Sequence, residues 1–328
     1  MLFRSLGIAC FLETSRGTPG ERAEIRFEPD GHVALVLGTQ SNGQGHETSF
    51  PQIAADLLGL PIAAFRFVQA DTRSVKSGNG HGGARSMHMG GSALYLAAQM
   101  VLAKARTIAA HLLQADANEV SFSAGRFTVG GSERGVDLLA LAEAARDPAN
   151  LPANWPGGMT PGLDADAYND SDVFTFPNGC HAAEVEIDPE TGAVKLERYQ
   201  AIDDYGRLIN PMLTRGQVQG GLAQGIGQAM LEHTVYDGQS GQLLSGSFTD
   251  YALPRADDLP PLDITLTELP TAINQLGVKG AGQAGCMAAP QTVINAILDA
   301  LAPLGIAHID MPATPERVWR AIHRARGG

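Results

Sequence analysis

Two stretches of the 328-residue sequence, AEIRFEPDGHVALVLG (residues 23–38) and AEVEIDPETGAVKLERYQAI (residues 183–202), share one layout. In each, apolar and polar residues alternate on both sides of a turn rich in Pro, Asp and Gly, the pattern of a half-buried hairpin. Each is followed by a loop containing Gly-Gln and then by an apolar-periodic segment that predicts a helix, in NGQGHETSFPQIAADLLG (42–59) and TRGQVQGGLAQGIGQAML (214–231). This is a weak internal repeat, for which chance similarity is the competing explanation. Hairpins interleaved with helices, without a steady βαβ alternation, predict an α+β fold with mixed or antiparallel sheets and packed helices. A doubly wound parallel sheet is the second choice.

Between the two passages, GGSALYLAAQMVLAKARTIAAHLL (90–113) is the longest predicted helix and VDLLALAEAARD (136–147) a shorter one. Residues 146–180, rich in Pro, Gly, Asp and Asn, show neither period and are expected as a long functional or interface-forming loop. The chain is thus expected as one region, 1–328, of two intimate lobes (about 1–145 and 175–328) joined by that loop. MLFRSLGIACFLE lacks the flanks of a signal peptide and reads as a core strand, whose abrupt start suggests that something normally precedes it.

A formal charge of -12 with no Lys/Arg cluster argues against nucleic acid, and no segment is long and apolar enough to suggest a membrane. Three cysteines, Cys10, Cys180 and Cys286, lie far apart in sequence with no CxxC, which fits buried thiols in a reducing, cytoplasmic setting rather than a disulfide framework or a metal site.

GNGHGG (78–83) and GAGQAG (280–285) both match G-x-G-x-x-G, but neither has the preceding strand and the acid about twenty residues on that a dinucleotide site needs. His46-Glu47 begins a zinc-protease motif that fails at Phe50, and no nucleophile elbow or Walker loop appears. What remains is the physics beneath the glycine motif: backbone N–H groups at helix mouths, clear of side chains, make anion cradles. NGQGHET, GHGGARS and KGAGQAG are three such loops, and together they point to a polyanionic cofactor.

Taken in order, GTQSNGQGHETSFPQIAADLLGLP, GNGHGGARSMHMGGSAL, DDYGRLINPMLTRGQVQGGLAQGIGQAMLE, GSFTDYALPRADDLP and NQLGVKGAGQAGCMAAP resemble the molybdenum hydroxylases, the family of xanthine dehydrogenase, aldehyde oxidase and the carbon monoxide dehydrogenase large subunit. The resemblance runs from about Gly7 to Leu301 and corresponds to the second, C-terminal half of the molybdopterin-binding region.

It implies a molybdopterin with molybdenum, expected in the cytosine dinucleotide form, and almost no direct protein ligand to the metal. FAD and [2Fe-2S] clusters would reside on partner flavin and iron-sulfur subunits, with a first-half molybdopterin subunit completing the pocket. The substrate would be an aldehyde, N-heterocycle or similar small molecule, with water as the oxygen source. By position, Gln44 beside Gly45 would lie near the metal's oxo group and Gln217 would hold the cofactor from the second passage. Gly82, Gly83, Ala84, Arg85 and Ser86 would cradle pterin or phosphate, with side-chain donors from Arg85 and Ser86, and Lys279, Gly280, Ala281 and Gly282 would close the last side. The family's usual K-G-x-G-E places a general base where this chain has Gln283. An amide has the shape of that carboxylate without its basicity. The alternatives are a hydroxylase using another base or a water, a catalytically altered or structural subunit, and an engineered substitution. Asp203 and Asp204 are replacement bases only if they are not strand-end charges, which is the stronger reading.

Overall fold

The structure, a computed structural model, describes residues 2–153, 155 and 160–327. The chain divides into two compact units, one of Met1–Ser15, Phe176–Pro270 and Lys279–Gly328, the other of Arg16–Thr175 and Thr271–Val278.

The unit that begins the chain is built on four strands: β1 (Phe3–Leu12), β9 (Asn178–Ile187), β10 (Val194–Asp204) and β11 (Leu262–Thr267), in the order β1-β9-β10-β11. Its first three strands pair antiparallel, and β11 joins β10 in parallel through the crossover helix α4 (Pro211–Met230). Helix α4 starts where Asn210 accepts the N–H of Leu213 and Pro211 supplies a first residue that needs no donor. Helices α5 (Ala284–Met287), α6 (Ala289–Leu301) and α7 (Pro315–Ala325) complete it. Val293, Ile297 and Leu301 of α6 recur at helical spacing and are buried with Val185, Ile187, Tyr199 and Ile264 of the sheet. Each such apolar side chain contributes roughly 1.5–3 kcal/mol.

The other unit repeats the topology. β2 (Glu21–Phe27) and β3 (Val33–Leu37) form the predicted hairpin, α1 (His46–Leu58) crosses to β4 (Phe65–Val68), which lies parallel to β3, and β8 (Ala165–Asn169) flanks β2 antiparallel. Its order, β4-β3-β2-β8, matches β11-β10-β9-β1 element for element. The long helix α2 (Gly91–Leu112) covers this sheet with Leu94, Ala97, Ala98, Val101 and Ala105, all buried. A small meander of β5 (Val120–Ser123), β6 (Arg126–Val129) and β7 (Gly135–Asp137) precedes α3 (Leu138–Ala144). Both sheets are mixed, as the α+β reading requires.

Three expectations change. β1 is an edge strand rather than a core strand: Leu6, Ile8 and Leu12 face outward while Gly7 lies on the backbone of α6. The long segment 146–180 is not structureless, since it supplies β8 and opens β9; its residues 154 and 156–159 lie outside the described ones. The cysteines are not buried: Cys10 is exposed and Cys180 and Cys286 are half-buried, all three as free thiols, with Cys10 and Cys180 directly opposed on the edge strand β1 and on β9. Among the described residues no helix is long and apolar enough to cross a membrane.

Candidate functional site

Each unit carries its own set of loops. In the unit holding α1 and α2, three loops converge at the sheet end: 15–20, 38–45 and 77–86. Gly17 and Gly83 have φ of +61° and +84°, and a Cβ on Gly17 would come within 2.1 Å of the Gly82 carbonyl oxygen, so only glycine permits this crossing. Across the loops, Thr39 Oγ1 and Ser86 Oγ share a buried hydrogen bond of 2.6 Å, and Asn42 Nδ2 meets His81 Nε2 at 3.0 Å. Ala84 sits at φ 55°, a strained position for a residue with a side chain. Ser86–Gly90 form one π-helical turn that leads into α2.

Arg85 holds this arrangement from inside. Its guanidinium is fully buried beside the equally buried Glu21 carboxylate. Its Nε donates to the Thr18 carbonyl at 2.9 Å and its Nη1 to the Gly80 carbonyl at 2.9 Å, and Nη2 takes the carbonyl of Gly20. The side chain expected to donate to a cofactor is therefore committed to the protein, and Arg85 acts as the brace of the loop. The Ser86 hydroxyl shares its bond with Thr39, and either oxygen can be the donor. Gln44 is half-exposed and folded on its own loop, accepting the N–H of Asn42 and donating to the Gln40 carbonyl at 3.4 Å. Two buried histidines stay neutral: burial pushes His46 down to about 4, and burial followed by the Arg85 charge pushes His88 down to about 4.

In the other unit, the loop from Lys279 to Gln283 precedes α5. Lys279 Nζ is paired with the nearly buried Asp204, and its backbone N–H donates to the Tyr205 carbonyl at 2.9 Å. Burial raises the Asp204 pKa, but the Lys279 ammonium and the N–H groups of Leu269 and Gly206 more than offset it, so the carboxyl stays ionised below its usual range. The Gly280 N–H donates to Ser15 Oγ at 3.2 Å. Gln217 lies in the second turn of α4 rather than in a loop, and donates to the Gly282 carbonyl. Gln283 caps α5 and is exposed, as is Gly282, while Ala281 is half-buried. Asp203 is fully buried, taking His181 Nε2 at 3.0 Å and the Tyr205 hydroxyl at 3.0 Å. Both aspartates end β10, as the strand-end reading held, but they are buried acceptors rather than surface charges.

Sequence reasoning missed Glu13 and Glu21. Glu21 partners Arg85, and Glu13, 4% exposed, is a buried carboxylate whose charged form the Gln283 side chain favours. Neither carries a local signal, because each meets its neighbour only through the fold.

A family profile described as a molybdopterin cofactor-binding domain matches residues 2–260. The nicotine 6-hydroxylase large subunit of Paenarthrobacter nicotinovorans is 35% identical over 332 aligned residues, covering 97% of this chain and 40% of that protein. Among solved structures, a Cu,Mo-CO dehydrogenase in its carbon monoxide reduced state gives a TM-score of 0.91 at 34% identity, over 99% of this chain and 42% of that one. Quinoline 2-oxidoreductase from Pseudomonas putida 86 gives 0.88 at 34% identity, over 98% and 42%. The chain spans about two fifths of the length of these relatives. A profile match over most of the sequence, on a fold this close, makes the chain a member of the molybdopterin cofactor-binding domain family.

Proposed function

We propose that this chain is the C-terminal molybdopterin-binding part of a cytoplasmic molybdenum hydroxylase, acting on an N-heterocycle, aldehyde or similar small molecule with water as the oxygen source. The observation that carries the reading is a pair of glycines on α4. Gly216 and Gly220 are exposed, one helical turn apart around Gln217, and a Cβ at either would meet nothing within 4 Å. Each costs the helix about 1 kcal/mol relative to alanine, with no packing within the chain to offset it. Glycine there suits a group that approaches the helix closely. Gly82, also exposed and with open space at its Cβ, has the same character in the other unit.

These residues fit a molybdopterin. Its phosphates suit N–H groups kept free of side chains, and a polar pterin ring suits an amide such as that of Gln217 beside the open glycines of α4. Bound, the molybdenum cofactor would supply a two-electron acceptor for oxidation of the substrate. The chain's own part is to bind and orient. Arg85 and Lys279, both ion-paired, stiffen the 80–86 and 279–282 segments instead of neutralising the ligand. Gln283 offers an amide donor and acceptor at the position where the resemblance places a base, and cannot itself hold a proton.

The relatives' longer chains support a first-half partner segment, and a name such as "large subunit" supports further subunits, for which iron-sulfur and flavin proteins are the proposed carriers of [2Fe-2S] and FAD. The cytosine dinucleotide form is part of the proposal. Co-expression of this chain with its first-half partner should yield molybdenum, pterin and cytidine monophosphate in equal amounts on acid release. Protein that assembles but carries neither metal nor pterin would refute the reading.

A further inference from the structure

We propose that Glu13 is the positioning residue for Gln283: its ionised carboxylate draws in the amide Nε2–H and turns the Oε1 carbonyl to the open side of the 279–283 loop, and uptake of one solvent proton by Glu13 reverses that amide.

Three observations carry this. Glu13 follows β1, anchored by its backbone N–H to the Pro177 carbonyl at 3.0 Å, and its side chain is 4% exposed. Both carboxylate oxygens are buried without a fully formed hydrogen bond to any described residue. The Gln283 amide lies beside that carboxylate, close enough to favour its charged form without closing a bond of full geometry, while Gln283 itself reaches the surface. An isolated buried carboxylate is costly to ionise, so it must either keep a proton or capture a donor. The Tyr205 phenol, which senses the Glu13 charge, is engaged elsewhere and donates to Asp203. The Gln283 amide is the donor within reach.

Hydrogen-bond chemistry then fixes the direction. An ionised carboxylate only accepts, so the NH₂ of Gln283 faces it and the carbonyl points out. A protonated carboxyl donates one O–H, which the Gln283 carbonyl can accept, and the NH₂ then points out. One proton thus converts the outward group of the loop from acceptor to donor. Ligands with an O–H are favoured in the first state and those with a carbonyl or ring nitrogen in the second. Burial, opposed by Gln283, places the Glu13 pKa above its ordinary value. The inference concerns this chain's own residues and does not require bound cofactor, so it and the proposed function fail independently.

The test uses the full chain without metal or pterin. Side-chain ¹⁵N–¹H signals of Gln283, assigned by their loss in Gln283→Met, are followed from about pH 8 to about pH 4, together with the ¹³C signal of the Glu13 carboxyl. The expected result is a one-proton transition in the Gln283 signals with its midpoint above the reference 4.5. That transition is abolished in Glu13→Gln and retained, displaced, in Glu13→Asp. In Gln283→Met the Glu13 midpoint moves further up, because the group that favours the charge is gone. Should Glu13→Gln fail to fold, this last shift decides alone. Gln283 signals flat across the range, or a Glu13 midpoint unmoved in Gln283→Met, would overturn the proposal.

Discussion

Arg85→Met removes a charge that no solvent touches and leaves its partner behind. The Glu21 carboxylate, fully buried, would keep only the backbone N–H of Arg22 at 2.9 Å, and the carbonyls of Thr18, Gly20 and Gly80 would each lose a donor. Breaking a buried pair by removing one partner costs about 3–5 kcal/mol. Since whole domains are stable by roughly 5–15 kcal/mol, this is a large share of what holds the unit folded. Arg85→Lys should recover only part of it, because a single ammonium with three N–H donors cannot reach four acceptors spread around the guanidinium. Glu21→Gln combined with Arg85→Met should cost less than the sum of the two single changes, as neither then strands a charge. Urea unfolding read by Trp155, in a Trp319→Phe background so that only the unit carrying Arg85 is reported, gives the free energies, and hydrogen exchange of residues 77–90 localises the loss. A cost below about 1 kcal/mol, or additive single changes, would refute the reading of Arg85 as a brace.

His46 and His88, held near 4 in the fold against 6.5 as the reference value, bind protons in the unfolded chain before the folded one. Their contribution is complete above pH 6.5 and is lost as pH falls towards 4, by up to about 3 kcal/mol for each; urea midpoints that stay level between pH 7 and 4.5 would contradict it. Gly216→Ala should stabilise α4 by up to about 1 kcal/mol yet lower the molybdenum retained by the assembled protein; unchanged metal content would mean that nothing approaches the helix there. In a metal-loaded assembly, Gln283→Glu should raise turnover about 10²- to 10⁴-fold and introduce a rise with pH, whereas equal rates and profiles in steady-state assays would place the proton elsewhere.

Much of the architecture is legible along the chain because it is local. The hairpins at 23–38 and 183–202 and the helix at 90–113 depend on neighbours within a few residues, where alternation and turn chemistry act, whereas α4 begins at Pro211, ahead of the Gly-Gln stretch read as a loop. The glycine loops were visible for the same reason. What those loops do with their charged residues was not visible. In sequence, Arg85 and Lys279 look like donors for an anionic ligand; the fold spends both on carboxylates 64 and 75 residues away. Asp203 resembles a spare base until burial sets His181 and Tyr205 against it. Glu13 lies 270 positions from Gln283, and only the packing of β1 into a sheet that also carries β10 brings its carboxylate to that amide. Secondary structure is decided by short-range sterics and hydrogen bonds, which the order of residues records. The availability of a charge depends on what tertiary packing removes from water and what it leaves as the nearest partner, and that is settled only when distant segments meet.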